Sequence, residues 1–314
     1  MDAAAQAAGI QFIEVPGEGG DRPLSGAAWY PCGIQVQQVR LRGLAVPGVQ
    51  DCPILGENLP LVIISHGRTG WFGGHHDTAV DACRCGFCGR TVNHPGDNAF
   101  DTNRVDDLSL LLERPADIGR LLNFMIDVWR DGAKIDKERI GLFGFSKGAY
   151  TALAVLGGRP NFPRAARLCA EGELRGRSCE ALAQFAIPID THTHDPRAKA
   201  AVIADPANTF LFGPDDLAAV TAPIEVWSSE LGGAGVTRES VAAVSRKLPS
   251  RPDARIVPNA AHWSFLAPCS SGQARSNPRI CVDAENFDRV AFHKEFNSEL
   301  LAFFRKNLPE IGAQ

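Results

Sequence analysis

The sequence predicts an α/β protein built on a mostly parallel, doubly wound sheet. Three observations carry this expectation. Short apolar runs of the kind buried on both faces of a parallel sheet recur along the chain, and helical patterns lie between them. Neither an internal repeat nor a low-complexity tract nor a long linker divides the 314 residues, so they read as one domain with an ordered core over about 10–306.

The elements follow in order. Residues 10–49 read as short strands and turns, an antiparallel start to the same sheet. "LVIISH" (Leu61 to His66) is the first apolar run. In "ERPADIGRLLNFMIDVWR", Ile118, Leu121, Leu122, Met125 and Val128 recur at helical spacing, and Pro115 suits a first helical turn. "RIGLFGF" (Arg139 to Phe145), "KAAVIAD" (Lys199 to Asp205), "APIEVWSSE" (Ala222 to Glu230) and "ARIVP" are further strands. The Pro- and Arg-rich stretch 157–197 interrupts the alternation where a cap over a site could sit.

Composition excludes several classes. A net charge of -4 without a long like-charge run leaves no electrostatic footprint for nucleic acid or an anionic membrane surface. No apolar run approaches the roughly 20 residues of a membrane span. The opening "MDAAAQAAG" lacks the basic start and apolar centre of a signal peptide and reads as an added Met on a mature chain. Six of the nine cysteines form sequence-local pairs, Cys32 with Cys52, Cys169 with Cys179 and Cys269 with Cys281. Disulfides in such loops point to an oxidising compartment, the periplasm or the exterior.

The strongest chemical signal is G-x-S-x-G at Gly144 to Gly148, entered by an apolar strand and left by a small-residue helix. A nucleophile elbow requires that setting, because the serine sits on a sharp turn where strand and helix approach closely. Ser146 then needs a base and a group to orient it. His262, in a loop after "ARIVP", is the expected base; of the other histidines, His66, His75, His76 and His94 precede the serine, and His192, His194 and His293 follow it. Asp205 and Glu230 each end a strand and each satisfy the order Ser, acid, His, with Asp205 favoured. The backbone N–H groups of Arg68, in the Gly-rich loop "SHGRTGWFGGHHD", and of Lys147 are expected to serve an oxyanion.

Trp71, Phe72, His94, Trp263 and Phe265 are the expected substrate-contacting residues. "HHD" (His75 to Asp77) and "THTHD" (Thr191 to Asp195) hold metal-ligating types, but neither forms a recognised site, and no metal or cofactor is expected. These residues predict a serine carboxylic-ester hydrolase acting on a small or extended ester. Lactone or amide hydrolysis by the same residues, metal binding, and a catalytically silent binding module are the alternatives. Partner and oligomeric state beyond the substrate are open.

"ISHGRTG", "NHPGDN", "GFSKGAY", "VIADP" and "AHWSF", in that order, resemble the platelet-activating-factor acetylhydrolase and dienelactone-hydrolase-like branch of the α/β-hydrolase superfamily, over about Ile10 to Phe304. The resemblance implies an α/β-hydrolase fold, Asp205 as the acid, a noncatalytic role for Ser229 and Glu230, and an oxyanion donor at Arg68. It also implies the pairs Cys169/Cys179 and Cys269/Cys281, which look like those of secreted bacterial members. Dienelactone hydrolases carry a cysteine nucleophile, so Ser146 argues against that activity. No lipid-binding surface is recognisable, although a phospholipid short-acyl hydrolase stays among the alternatives.

One stretch fits none of this. "DACRCGFCGR" (Asp81 to Arg90) carries Cys83, Cys85 and Cys88 and sets two arginines at a helix-to-strand join where small and apolar residues are expected. By hypothesis, Ala82 to Gly89 can be encoded by bases that, read one nucleotide later, give Leu-Ala-Asp-Ala-Gly-Phe-Val-Ala; compensating frameshifts would then explain the segment. The alternative is a genuine, partly buried cysteine-rich join.

Overall fold

The computed structural model describes residues 7–186 and 193–310. Its strands form one mixed sheet. β1 (Ala7–Val15), β2 (Leu24–Cys32), β3 (Gln37–Leu41) and β4 (Leu44–Gln50) make the largely antiparallel front. β5 (Leu59–Ser65), β6 (Cys88–Val92), β7 (Ile135–Phe145), β8 (Ala198–Ala204), β9 (Ile224–Ser229) and β10 (Ala254–Val257) are mutually parallel. The spatial order is β10-β9-β8-β7-β5-β6-β2-β1-β4-β3. Every residue of β5 and β6 is buried, which is why these strands read as continuous runs and not as alternation.

From β5 the chain turns to β6 on one side, then crosses back to β7 on the other. That reversal opens a crevice at the carboxyl ends of β5 and β7, where ligands bind in such sheets. The helices are α1 (His76–Arg84), α2 (Leu110–Asn123), α3 (Lys147–Val155), α4 (Phe162–Ala170), α5 (Arg177–Gln184), α6 (Arg238–Lys247), α7 (Ser271–Ser276), α8 (Pro278–Cys281) and α9 (Arg289–Asn307). One apolar core contains Ile118 of α2, Leu153 of α3 and Val244 of α6; the other contains Val80 of α1 with Phe296 and Phe304 of α9. No helix among the described residues is long and apolar enough to cross a membrane.

Two details of α2 depart from expectation. The helix starts earlier than its pattern suggested, so Pro115 lies in its interior and cannot donate to the carbonyl of Leu111. The buried Tyr150 hydroxyl donates to that carbonyl instead, at 3.0 Å. Past Asn123 the coil widens into a π turn over Phe124–Val128, which rotates Val128 out of the buried stripe to 66% exposure.

All three expected disulfides form, with Cα separations of 6.4, 5.6 and 5.7 Å. They fit an oxidising compartment. Cys169–Cys179 links α4 to α5 within the segment expected to be a cap, of which 187–192 lie outside the described residues.

The cysteine-rich join closes in a regular way. Gly86 takes φ +83°, Gly86 N–H donates to Cys83 O at 3.1 Å and Phe87 N–H to Ala82 O at 3.0 Å, a glycine-capped helix end. Cys83 and Cys88 are buried and Cys85 is exposed. Of the two arginines only Arg90 is buried; Arg84 lies at the surface beside Asp81.

Candidate active site

Strand ends from across the parallel half of the sheet bring the site together. β7 delivers Ser146 at φ 55° and ψ -118°, a left-handed conformation that a non-glycine residue holds only under constraint. The flanking glycines explain how the turn fits. A Cβ on Gly144 would collide with the Gly148 carbonyl, and one on Gly148 with the Ser65 carbonyl of β5. Ser146 N–H donates to Ala204 O at 2.9 Å, tying the turn to β8.

Asp205 follows β8 at φ 43° and is fully buried. Its Oδ1 accepts from Ser229 N–H at 2.8 Å and its Oδ2 from the Ser229 hydroxyl at 2.5 Å. His262 opens a short 3-10 turn after β10, with its N–H donating to Gly232 O at 2.8 Å and its ring on Phe145, 4.7 Å between centroids. The three side chains make one hydrogen-bonded chain. His262 Nε2 stands 3.1 Å from Ser146 Oγ, and Nδ1 stands 2.9 Å from Asp205 Oδ2. Glu230 is not part of it: its carboxylate accepts from Asn259 N–H at 2.8 Å.

The loop after β5 closes over the serine, with Gly67 against it; a Cβ there would lie 3.1 Å from Ser146 Cβ. As the first residue of α3, Lys147 has no helical carbonyl for its N–H. Beneath both lies a sealed ionic cluster. Asp97 Oδ2 meets Lys147 Nζ at 2.9 Å and Arg114 Nη1 at 2.8 Å, and Oδ1 accepts from Thr69 N–H at 2.9 Å. Burial alone would raise the Asp97 carboxyl, but Arg114 and Lys147 hold it well below the carboxylate range. Burial lowers Lys147, with Asp97 opposing.

Alongside it, His94 joins Ser65 Oγ at 3.1 Å through Nε2 and Asp117 Oδ2 at 2.8 Å through Nδ1. Burial and then Arg114 push His94 well down, as they do His66, while burial raises Asp117 to about 7 against Arg120 and Arg114. His66 Nδ1 donates to Gly67 O at 2.7 Å, leaving Nε2 to accept the His94 N–H at 3.3 Å.

Above Ser146 opens a cleft of about 1580 Å³. Arg68, Lys147, Trp71 and Trp263 line it, as do α5 and the segment held by Cys269–Cys281. Three expected contacts do not. Phe72 is turned inward against Phe12 and Trp71, His94 is sealed with Ser65 and Asp117, and Phe265 packs on Phe292 and Phe296. Phe72 and Phe265 each lie within two residues of a lining tryptophan but point to the core, whereas no close sequence neighbour of His94 lines the cleft. The "HHD" residues separate too. His75 is buried on Phe143 and Phe145, His76 bonds Gly73 O at 3.0 Å, and Asp77 bonds His293 at 2.6 Å. In "THTHD", Thr191 and His192 lie outside the described residues, and Asp195 pairs with Arg197.

Asp97, Arg114 and Ser229 were not among the expected site residues as supports. Asp97 lies inside the motif "NHPGDN", where His94 draws the attention, and only the folded partners Thr69, Arg114 and Lys147 reveal it.

No protein-family model matches the chain, and no curated protein sequence matches it. Solved structures do. A ferulic acid esterase from Streptomyces cinnamoneus superposes with a TM-score of 0.65 at 14% identity, covering 98% of this chain and 92% of that one. A protein described as a dipeptidyl aminopeptidase IV from Bacteroides ovatus gives a TM-score of 0.53 at 12% identity, with 98% of this chain matched to 37% of that one. These likenesses and the sheet order show an α/β-hydrolase fold.

Proposed function

We propose that this α/β-hydrolase-fold protein is a serine carboxylic-ester hydrolase, akin to the acetylhydrolase-like branch its motifs resemble. The observation that carries the reading is the chain Ser146–His262–Asp205 with its serine on a left-handed turn at the floor of an open cleft.

In this reading His262 Nε2 takes the Ser146 proton as Oγ attacks the ester carbonyl, and Asp205 holds the Nδ1 proton and the ring's orientation. The N–H groups of Arg68 and Lys147 receive the developing oxyanion. The imidazolium then returns its proton to the departing alcohol, leaving an acyl group on Ser146. Water, deprotonated by His262, attacks that acyl group and frees the acid and the serine. No step calls on a metal or cofactor.

The size of the cleft supports a bulky or extended ester, since small-molecule pockets run to about 300–1,000 Å³. Trp71 and Trp263 offer aromatic walls for such a substrate, and Leu174 and Gln184 bring the expected cap segment to the same cleft. The fold is shared with a ferulic acid esterase and with an aminopeptidase alike, so the choice of an ester over an amide rests on the motifs and the cleft and not on the fold.

The test is hydrolysis of a series of p-nitrophenyl acyl esters by wild type and Ser146→Ala, with and without chelator. Activity confined to wild type and indifferent to chelator supports the reading; activity retained by Ser146→Ala, or lost to chelator, overturns it.

A further inference from the structure

We infer that Asp97 is a positioning residue of the oxyanion hole, clamping the loop after β5 and the start of α3 at their working separation. The inference rests on the ester-hydrolase reading above and deepens it.

One carboxylate reaches both proposed donor segments. Its Oδ1 accepts the N–H of Thr69, the residue after one donor, and its Oδ2 holds the ammonium of Lys147, the other donor's own side chain. The Thr69 bond fixes a peptide that would not stay put unaided, for Thr69 takes φ +54°. A threonine holds such a conformation only where its surroundings over-determine it. Arg114 completes the clamp. Its Nη1 meets Asp97 at 2.8 Å, its Nη2 donates to the His66 carbonyl at the root of the loop, and its Nε stands 3.3 Å from the Thr151 hydroxyl of α3. Lys147 Nζ also reaches Val105 O at 3.3 Å, across the cleft wall. The bonds of these three ions therefore tie together the parts whose relative position sets the distance between the two donors.

The physical cost argues the same way. Asp97 and Arg114 are wholly buried and Lys147 nearly so, and buried ion clusters are a poor route to stability, because apolar residues of the same volume serve as well or better. Positioning is what an apolar core could not supply. The cluster also leaves one net positive charge below the place where negative charge develops, since its two cations face one carboxylate and the neighbouring His66 and His94 are held neutral by burial. Asp97 has no bond to Ser146, His262 or Asp205 among the described residues, so its action runs through the two donor segments alone.

The experiment is Asp97→Asn, which keeps size and one acceptor but removes the charge. Active sites are counted by end-point labelling of Ser146 with a fluorophosphonate, so that misfolded protein is excluded from the rate. Per labelled serine, kcat on p-nitrophenyl acetate is expected to fall about 10- to 100-fold with KM within about threefold, less than the loss of a whole donor. Affinity for an alkyl boronic acid, which mimics the tetrahedral state, is expected to fall in parallel. If Asp97→Asn does not fold, the same measurements on Lys147→Met remove one arm of the clamp while keeping the backbone donor. A kcat per labelled serine within threefold of wild type, or a loss carried by KM, overturns the clamp and leaves the esterase reading standing. A wild type that neither hydrolyses esters nor takes the label overturns that reading, and the clamp with it.

Discussion

Two Ser–His–Asp chains of nearly the same dimensions lie among the described residues. In one, Ser146, His262 and Asp205 are linked at 3.1 and 2.9 Å; in the other, Ser65, His94 and Asp117 are linked at 3.1 and 2.8 Å. Distances alone would rank them equal. Their settings do not. Ser146 stands on a strained turn at the cleft, with Lys147 N–H free of helical partners beside it. Ser65 ends β5, in register with Gly144, does not line the cleft, and has Arg114 3.4 Å from its hydroxyl. An imidazolium forming on His94 would face the Arg114 cation, and burial keeps Asp117 from being a dependable anion near neutrality. The lesson is that three side chains in a row do not make a site: access and unspent donors single out the Ser146 chain as the candidate.

Removing each serine tests this most severely. Ser146→Ala is expected to lower kcat/KM on p-nitrophenyl esters by about 10⁴-fold or more, whereas Ser65→Ala is expected to change it by less than about threefold. Fluorophosphonate labelling should mark one serine per chain, and peptide mapping should find it at Ser146. Label at Ser65 would collapse the distinction. Next in size is the acid. Asp205→Asn is expected to cost about 10²- to 10⁴-fold in kcat/KM, because the imidazole loses the anion that fixes its tautomer. Glu230→Gln, whose carboxylate serves only Asn259 N–H, is expected to stay within twofold. A large loss at Glu230 with none at Asp205 would exchange their roles.

The residues of the open chain were legible because each follows a strand with a readable pattern, "RIGLFGF" directly before Ser146, "KAAVIA" directly before Asp205 and "ARIV" a short loop before His262. Chain order and the edge rule for parallel sheets then bring them to one side. Neither clue exists for the clamp. Arg114 reads as one polar position among several on α2, and only the packing of α2 on α3 turns it toward Asp97 and Thr151. The aromatics were half legible for a related reason. Loop composition brought attention to Trp71–Phe72 and Trp263–Phe265, but without backbone angles the outward and inward members of each stretch cannot be separated. Pro115 misled for the opposite reason, as Tyr150 from another helix relieves the defect that ordinarily confines proline to a first turn.

The sealed chain makes its own prediction in pH. Asp117 would titrate near 3.8 when unfolded but near 7 when folded. Between those values the folded chain binds more protons, so this group's contribution to stability declines as pH rises and is least favourable above 7. His94, Arg114, Arg120, Glu113 and Asp21 are the charged or titratable groups that act on it. Asp117→Asn removes the titration. Relative to wild type it should gain little at pH 4 and on the order of a few kcal/mol at pH 8, read from urea unfolding at both. A gain that is the same at both pH values would place the proton elsewhere.

Arg90 carries the contrast between served and stranded polar groups to its end. Its guanidinium is wholly buried; Nη1 donates to Trp29 O at 2.8 Å and to Gly89 O at 2.6 Å, while Nε and Nη2 meet no oxygen acceptor among the described residues, the Cys88 thiol being the group's other polar neighbour. Stacking on Trp129, 4.3 Å from the ring centre, returns part of the desolvation penalty, on the order of 2 kcal/mol. Unlike Arg114, whose bonds join segments of the proposed site, Arg90 joins only neighbouring strands. Arg90→Leu is therefore expected to raise stability by about 1–3 kcal/mol without altering kcat, seen as a thermal midpoint higher by a few degrees. Cys88→Val, at the same join, is expected to stay within about 1 kcal/mol, because a buried thiol already packs as a small apolar group. The frameshift hypothesis covers 82–89 and leaves Arg90 in place, and because the Cys88 thiol touches the guanidinium, the two single variants are read together with their double variant. A larger gain at Cys88 than at Arg90 would put the strain in the cysteine-rich segment; the expected order puts it in one charge without enough partners.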